Sequence, residues 1–313
     1  MRKFAALAGL LFATCLIGLA AMVFFLGQRP AYAWRPSATL PMFTADHPRV
    51  LIDEAHHNAS TAGLFGRYFP FAALLRADGY AVSRNAAALS PTTLSRCDIL
   101  VIANASGAGR LQFWGFNLPV GEQGDRGAPA FSAAEIEAVR AWVEGGASLL
   151  LIADHAPFGS ASAQLAAAFG VTMRAGNVEV PGVTSDPLAF ERANGALGDH
   201  PILDGVDRVL TFSGQSLDAP ASGAILLRLP QSAIEYVEVA HDEAAGTTTF
   251  EDQPGGPAQA VALTYGAGRV VVLGEAAMLT AQVSAGRPFG FNTPGNDNER
   301  FARNVMAWLA RAD

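Results

Sequence analysis

Four apolar runs in this chain end in side chains that could bind a ligand, coordinate a metal or move a proton. Residues 50–52 lead into Asp53, His56, His57 and Asn58; residues 98–103 into Asn104; residues 147–153 into Asp154 and His155; and residues 269–273 into Gly274 and Glu275. Three of the six histidines of the chain fall at two of these points. Imidazole and carboxylate are ligands of zinc, manganese and iron, and they are also common general acids and bases. Asp53, His56, His57, Asn58, Asn104, Asp154, His155 and Glu275 are therefore the candidate ligand-binding residues. Within that set, His57, Asp154 and His155 are the candidate metal ligands, with a divalent metal as the candidate cofactor. The spacing is not diagnostic: there is no His-Glu-x-x-His, and adjacent His56 and His57 on a regular strand would face opposite ways. The plainer role of Asp or Asn after a strand is to cap the next helix.

Other chemistries are excluded by what the sequence lacks. Lys3 is the only lysine, so a Schiff-base lysine, a phosphate-gripping lysine in a Gly-rich loop and a Ser-Lys nucleophile have no candidate downstream. The two cysteines are Cys15, inside an apolar N-terminal run, and Cys97, which leaves the domain without a disulfide pair. Gly159-Ser160-Ala161-Ser162 does not form the Gly-x-Ser-x-Gly elbow that holds a nucleophilic serine in a strained turn. A formal charge of -7 argues against a nucleic-acid partner, since phosphate binding requires a basic face.

The elements that must position these residues follow from hydrophobic period and capping. Residues 50–52, 80–82, 98–103 and 147–153 predict buried strands, with polar loops at their C-terminal ends. A helix is expected from about Pro70, carrying Phe71, Leu74 and Leu75 inward and ending at Gly79. Ser132 and Glu135 match a capping box, which opens a helix with Ile136, Val139, Trp142 and Val143 on one face. Residues 259–264 and 269–273, joined through Tyr265-Gly266-Ala267-Gly268, read as a hairpin, and residues 298–310 as a closing helix. Residues 174–255 follow no single period and are expected to form an irregular or antiparallel insertion. Strand, helix and strand in this rhythm predict an α/β fold: a three-layer, mostly parallel sheet of flavodoxin-like type, in a domain spanning 47–313.

Arg2 and Lys3 precede an uncharged apolar run over residues 4–26, about 34 Å long as a helix, against a bilayer core of ~30 Å. Ala31-Tyr32-Ala33 follows, a small-residue pattern suited to signal cleavage. Residues 1–33 are thus expected to be a signal anchor, or a signal peptide cut after Ala33, and residues 34–46 a tether. Basic residues before the run would place the domain outside the cytoplasm, membrane-anchored through 4–26 or secreted.

The order of motifs carries a resemblance. It runs through Ala153-Asp154-His155, His200-Pro201-Ile202-Leu203-Asp204-Gly205-Val206, residues 268–275 and Asn298-Glu299-Arg300-Phe301 with Asn304, Trp308 and Leu309. Over roughly residues 48–311 the chain resembles the class I glutamine-amidotransferase-like superfamily in its DUF4350 branch. It is similar to the domains of gliding-motility-type transport proteins and intraflagellar-transport proteins. The resemblance implies a sheet with helices on both faces. It also implies a nucleophilic cysteine in the turn after the central strand, where this chain has Asp154-His155, and glutamine hydrolysis through a thiolate is therefore not expected. The leading expectation is an extracytoplasmic domain that binds a ligand or partner without turnover, with cell-envelope carbohydrate or a transport assembly as the partner. The alternative is a metal-dependent or acid/base hydrolase of an envelope amide, ester or glycan.

Overall fold

Alternate residues of the central strands enter two different cores, and this sets the architecture. Val50, Ile52, Val101, Leu150 and Ile152 pack on one face, and Leu51, Leu100, Leu149 and Leu151 on the other. A sheet with both faces apolar needs a helical layer on each side.

The structure, a computed structural model, describes residues 14–15, 18–19, 22, 24–113, 116–119, 125–183, 187–242 and 247–312. The elements run β1 (Arg29–Pro30), β2 (Arg49–Asp53), α1 (Phe69–Ala77), β3 (Ala81–Asn85), α2 (Pro91–Leu94), β4 (Ile99–Ala103), β5 (Arg110–Phe113) and β6 (Phe116–Pro119). They continue as α3 (Ala133–Glu144), β7 (Ser148–Ile152), α4 (Phe158–Ala167), β8 (Thr172–Met173), β9 (Asn177–Glu179), β10 (Leu188–Glu191), β11 (Arg208–Thr211), β12 (Leu217–Asp218) and β13 (Ala224–Arg228). The chain ends with β14 (Ile234–Asp242), β15 (Thr247–Pro254), β16 (Ala258–Tyr265), β17 (Gly268–Leu273), β18 (Ala281–Ser284), β19 (Arg287–Gly290) and α5 (Asn298–Leu309).

The main sheet has the order β3-β2-β4-β7-β17-β16-β12-β8, with β13 also pairing β16. β3, β2, β4, β7 and β17 are parallel, whereas β16, β12, β8 and β13 extend the sheet antiparallel. The result is a mixed α/β fold with a large, mostly parallel sheet and smaller antiparallel sheets. α1 and α5 contribute Leu74, Leu75, Phe301 and Val305 to one core, while α3 and α4 contribute Val139, Val143, Leu165 and Ala166 to the other. The hairpin read from residues 259–273 is present as β16 and β17, with Tyr265 opposite Gly268. Gly268 lies where α3 ends, and a Cβ there would stand 2.0 Å from the Val143 carbonyl oxygen, so only glycine lets the turn dock. Within residues 174–255 the chain builds an antiparallel sheet, β15-β14-β9, and the pair β10-β11.

The expected membrane anchor is corrected. Among the described residues no helix is long and apolar enough to cross a membrane. Most of residues 4–26, and with them the expected N-terminal apolar helix, lie outside the described residues. The placement of the domain outside the cytoplasm rested on that segment alone and goes with it. From Gln28 onward the chain is bound to the domain. Arg29 and Pro30 pair antiparallel with Val283 and Gln282, Ala31 is buried, and Trp34 packs on Phe291 with ring centroids 5.2 Å apart. Phe43 packs on Tyr80 at 4.8 Å, and the Ser37 amide donates to Glu299 Oε1 at 2.8 Å, so residues 34–43 follow the domain surface.

Candidate functional site

In an open parallel sheet the ligand crevice lies beyond the carboxyl ends of the strands, where the strand order reverses. Here β3 falls on one side of β2 and β4 on the other, so the reversal lies between β2 and β4. A cavity of about 280 Å³ opens near it, lined among others by Ser60, Arg67, Asn104, Arg126, Asp154, His155 and Glu275. Of the eight residues singled out in the sequence, Asn104, Asp154, His155 and Glu275 meet there.

Asn104 joins the strand ends. Its backbone has φ 52, a left-handed conformation that Asn tolerates better than most residues. Its Oδ1 accepts the Asp154 amide at 2.9 Å, and its Nδ2 donates to Ser60 Oγ at 3.3 Å. The following loop is propped by Gln215, whose Nε2 donates to the carbonyls of Ala153 (2.9 Å) and Asp154 (3.1 Å). Gly159 is required beside that prop, because a Cβ would stand 2.6 Å from the Gln215 amide.

His155 Nδ1 lies 2.8 Å from the Ala156 carbonyl oxygen, which can only accept. Nδ1 therefore carries the proton, and Nε2 is the basic nitrogen of the neutral ring. Burial raises the Asp154 carboxyl above its ordinary value, against the opposing pull of His155, Arg67 and Asn104. Glu275 is 1% exposed; its two oxygens accept the amides of Ala277 and Met278, both at 2.7 Å. That caps the turn at Ala277–Leu279.

The raised Asp154 has a consequence for stability. A native carboxyl that holds its proton more tightly than the unfolded one stabilises the fold fully below the ordinary value near ~3.9, and that contribution is lost as pH rises through the native value. Asp154→Asn keeps an acceptor for the His155 amide and removes the ionisation. It is expected to raise the Tm at pH 7, with the gain shrinking as the pH approaches 4, measured by thermal unfolding across that range. A Tm at pH 7 equal to or below wild type would refute this.

The other four candidates do not reach the cavity. Asp53 is fully buried, and its Oδ2 lies 2.8 Å from His56 Nδ1; His56 Nε2 lies 2.9 Å from Glu135 Oε1. Both ring nitrogens are thereby used. Burial works to lower the His56 pKa, but the bonds to Asp53 and Glu135 outweigh it and raise it. Burial likewise works to raise Glu135, but the bonds from Ser132, His56 and the Leu89 amide bring it down to about 2. Glu135 also closes the capping box of α3 with Ser132, as the sequence predicts, so the same side chain starts the helix and clamps the histidine. Asn58 accepts the His56 amide at 3.1 Å and donates to the Ala103 carbonyl at 3.3 Å. His57 is exposed with φ 50, its ring against Gly109.

The same geometry places the three expected metal ligands, His57, Asp154 and His155, apart. Among the described residues no group of three or more His, Cys, Asp or Glu side chains is placed to hold a metal ion. His57 is turned out to the surface, while Asp154 and His155 line the cavity, so the three do not converge.

The sequence reading missed Arg67 and Arg126, together with Gln28, Ser60, Ser213, Gln282 and the aromatic wall of Phe158, Phe212 and Phe289. One signal was present: Arg67 is the only Arg, Lys, Asp or Glu between Glu54 and Arg76, in a stretch rich in Ala, Gly, Leu and Phe. A larger, open cavity of about 740 Å³ lies at the amino ends of the strands, lined by Asp46, Arg49, Asp98 and Arg311 among others. Its main charges are spent on each other, with Arg49 and Asp98 paired at 2.7 Å in the open, and it gathers none of the candidate residues.

No family model matches the chain, and no curated protein matches it. Solved structures do. The mmIFT52 N-terminal domain superposes with a TM-score of 0.54 at 11% identity, covering 85% of this chain and 98% of that domain. A putative ThuA-like protein from Bacteroides uniformis gives 0.46 at 14% identity over 90% of this chain and 97% of its own. A cytoplasmic protein from Salmonella typhimurium gives 0.46 at 14% over 83% and 98%. The first likeness carries the fold alone, and the DUF4350 branch is not shown.

Proposed function

We propose that the chain is a small-molecule binding domain of amidotransferase-like fold, with its ligand in the cavity at the carboxyl ends of β4, β7 and β17. The carrying observation is the convergence of Asn104, Asp154, His155 and Glu275 on one cavity with aromatic walls and, among the described residues, no cysteine in its lining. Polar groups that fix orientation beside aromatic faces suit a hydroxyl-rich molecule such as a carbohydrate. At about 280 Å³ the cavity has room for a single small molecule, at the low end of the usual ~300–1,000 Å³.

The test is a thermal-shift screen of neutral and acidic monosaccharides and polyols against the full chain and His155→Ala. At least one compound is expected to raise the Tm of the wild type by several degrees and to lose that effect in the variant. Silence across the panel would sink this reading and turn the search to a protein partner.

A second reading rests on Asp154 and His155 together. A carboxyl whose burial favours its proton, beside an imidazole that bonds the Ala156 carbonyl through Nδ1, puts two proton-exchanging groups in one cavity, the equipment for hydrolysing an ester, amide or glycoside. Turnover of nitrophenyl esters or glycosides that falls at least a hundredfold in Asp154→Asn would establish it. Equal turnover in the variant would exclude it.

A further inference from the structure

The outer strand of the small sheet β15-β14-β9 lies away from the cavity and is open on one side. β15 pairs with β14 along its whole length, and among the described residues no strand pairs with its other edge. Seven of its eight residues are exposed. Such an edge presents a row of free amides and carbonyls to any extended chain. The pairing also decides which side chains stand together. Glu238 lies opposite Phe250, Tyr236 opposite Asp252, and Ile234 opposite both Pro254 and Glu179, so these groups share one face of the sheet. Glu251, between Phe250 and Asp252, takes the other face.

The surface beside this edge is acidic. Between Arg228 and Arg269 the sequence has no Arg or Lys and six Asp or Glu. Glu179, Glu238, Glu251 and Asp252 have no ion-pair partner among the described residues. Glu179 and Asp252 flank Tyr236 closely enough to raise its phenol from the ordinary value. Charges on a strand edge discourage a second copy of the chain, because two such edges would set Glu251 and Asp252 of each against the other. Repulsion of copies does not account for Phe250, which is 53% exposed among these acids. An arginine or lysine meets both features at once, since its apolar stem covers an aromatic ring and its head reaches the carboxylates.

We propose that β15 is a docking edge for an extended basic segment of a partner protein, which adds to the sheet as a further strand and sets its cationic side chains against Phe250, Glu251 and Asp252. Main-chain hydrogen bonds supply the affinity, and the acids on both faces select a basic chain over a neutral or acidic one. The surface is separate from the cavity, so this interaction and the small-molecule reading stand or fall independently.

The test is titration of the full chain with three capped octapeptides, followed by fluorescence anisotropy and by backbone-amide NMR. One alternates arginine and valine, one alternates glutamate and valine, and the third is the arginine peptide N-methylated at every residue, which keeps the charge but has no amide donors. The arginine peptide is expected to bind at least tenfold more tightly than either of the others, to weaken with added salt, and to shift the amides of residues 247–253. A Glu251→Lys, Asp252→Lys double variant should lose at least tenfold in affinity for it. Binding of the N-methylated peptide as tight as its parent would reduce the effect to charge alone and overturn the strand addition. Unchanged affinity in the folded double variant, shift changes centred elsewhere, or no binding by the arginine peptide would overturn the proposal as a whole. So would a concentration-dependent dimer that the double variant abolishes, since the edge would then serve a second copy.

Discussion

His56→Ala is expected to destabilise the protein by about 3–5 kcal/mol, the usual result of removing one partner from a buried ionic set. His56 is 8% exposed and stands between Asp53, fully buried, and Glu135. Without the ring, the two carboxylates face a void with no cation. The pH dependence follows from the two shifts. The raised His56 pKa makes its contribution complete below the ordinary value near ~6.5 and lost as pH rises through the native value. Glu135, held at about 2, contributes above its ordinary value near ~4.3 and loses that contribution as pH falls toward 2. The clamp is therefore strongest between pH 5 and 6, roughly, where both groups are charged. Urea denaturation of wild type and variant across that range measures it; a loss below about 1 kcal/mol at pH 6 would show that the clamp is not structural.

Glu275→Ala is expected to lower stability by about 3 kcal/mol and to weaken ligand binding at least tenfold, although the residue caps a turn. A charge-assisted hydrogen bond is worth ~1.5–3 kcal/mol, and the variant leaves two buried amides, Ala277 and Met278, without their acceptor. Residues 276–280 in turn hold the Arg67 carbonyl through Thr280 Oγ1 and the Tyr68 hydroxyl through the Ala276 carbonyl. Losing the cap loosens the support of Arg67. Glu275→Gln, which keeps one good acceptor, should recover most of the stability and part of the binding. Calorimetric titration with galacturonate beside urea denaturation separates the two effects. Intact binding in a clearly destabilised Glu275→Ala would break the link drawn between this turn and the cavity.

The fold was more legible in the sequence than the site. Strand positions followed from continuous apolar runs such as residues 98–103 and 147–153, which match β4 and β7 closely, and the capping box announced α3 directly. These signals are local: period, capping and glycine placement act within a few residues. The site depends on which way a side chain leaves the end of a strand, and the sequence carries no local record of that. Asp53, His56 and Asn58 read as site residues because they follow a strand, but Glu135, 79 residues ahead of His56, turns the imidazole inward. His57 lies in the loop beyond β2 with a left-handed backbone (φ 50), and its side chain ends at the surface. Arg67 and Arg126 reach the cavity from loops before two helices on opposite faces of the sheet, a meeting that only the strand order brings about. The apolar N-terminus shows the limit of composition: residues 29–31, counted with the targeting segment, bond to β18, and Ala31 is buried against the domain.

The central claim is that the cavity at the carboxyl ends of the strands is the working site. It is tested most directly by backbone-amide NMR of the full chain titrated with galacturonate and, separately, with galactose. The expected result is a saturable set of shift changes for at least one of the two, clustered at Asn104, His155, Ser213 and Ala277. Changes centred instead on Asp46, Arg49 and Asp98 at the opposite end of the sheet, or none with either compound, would contradict the account.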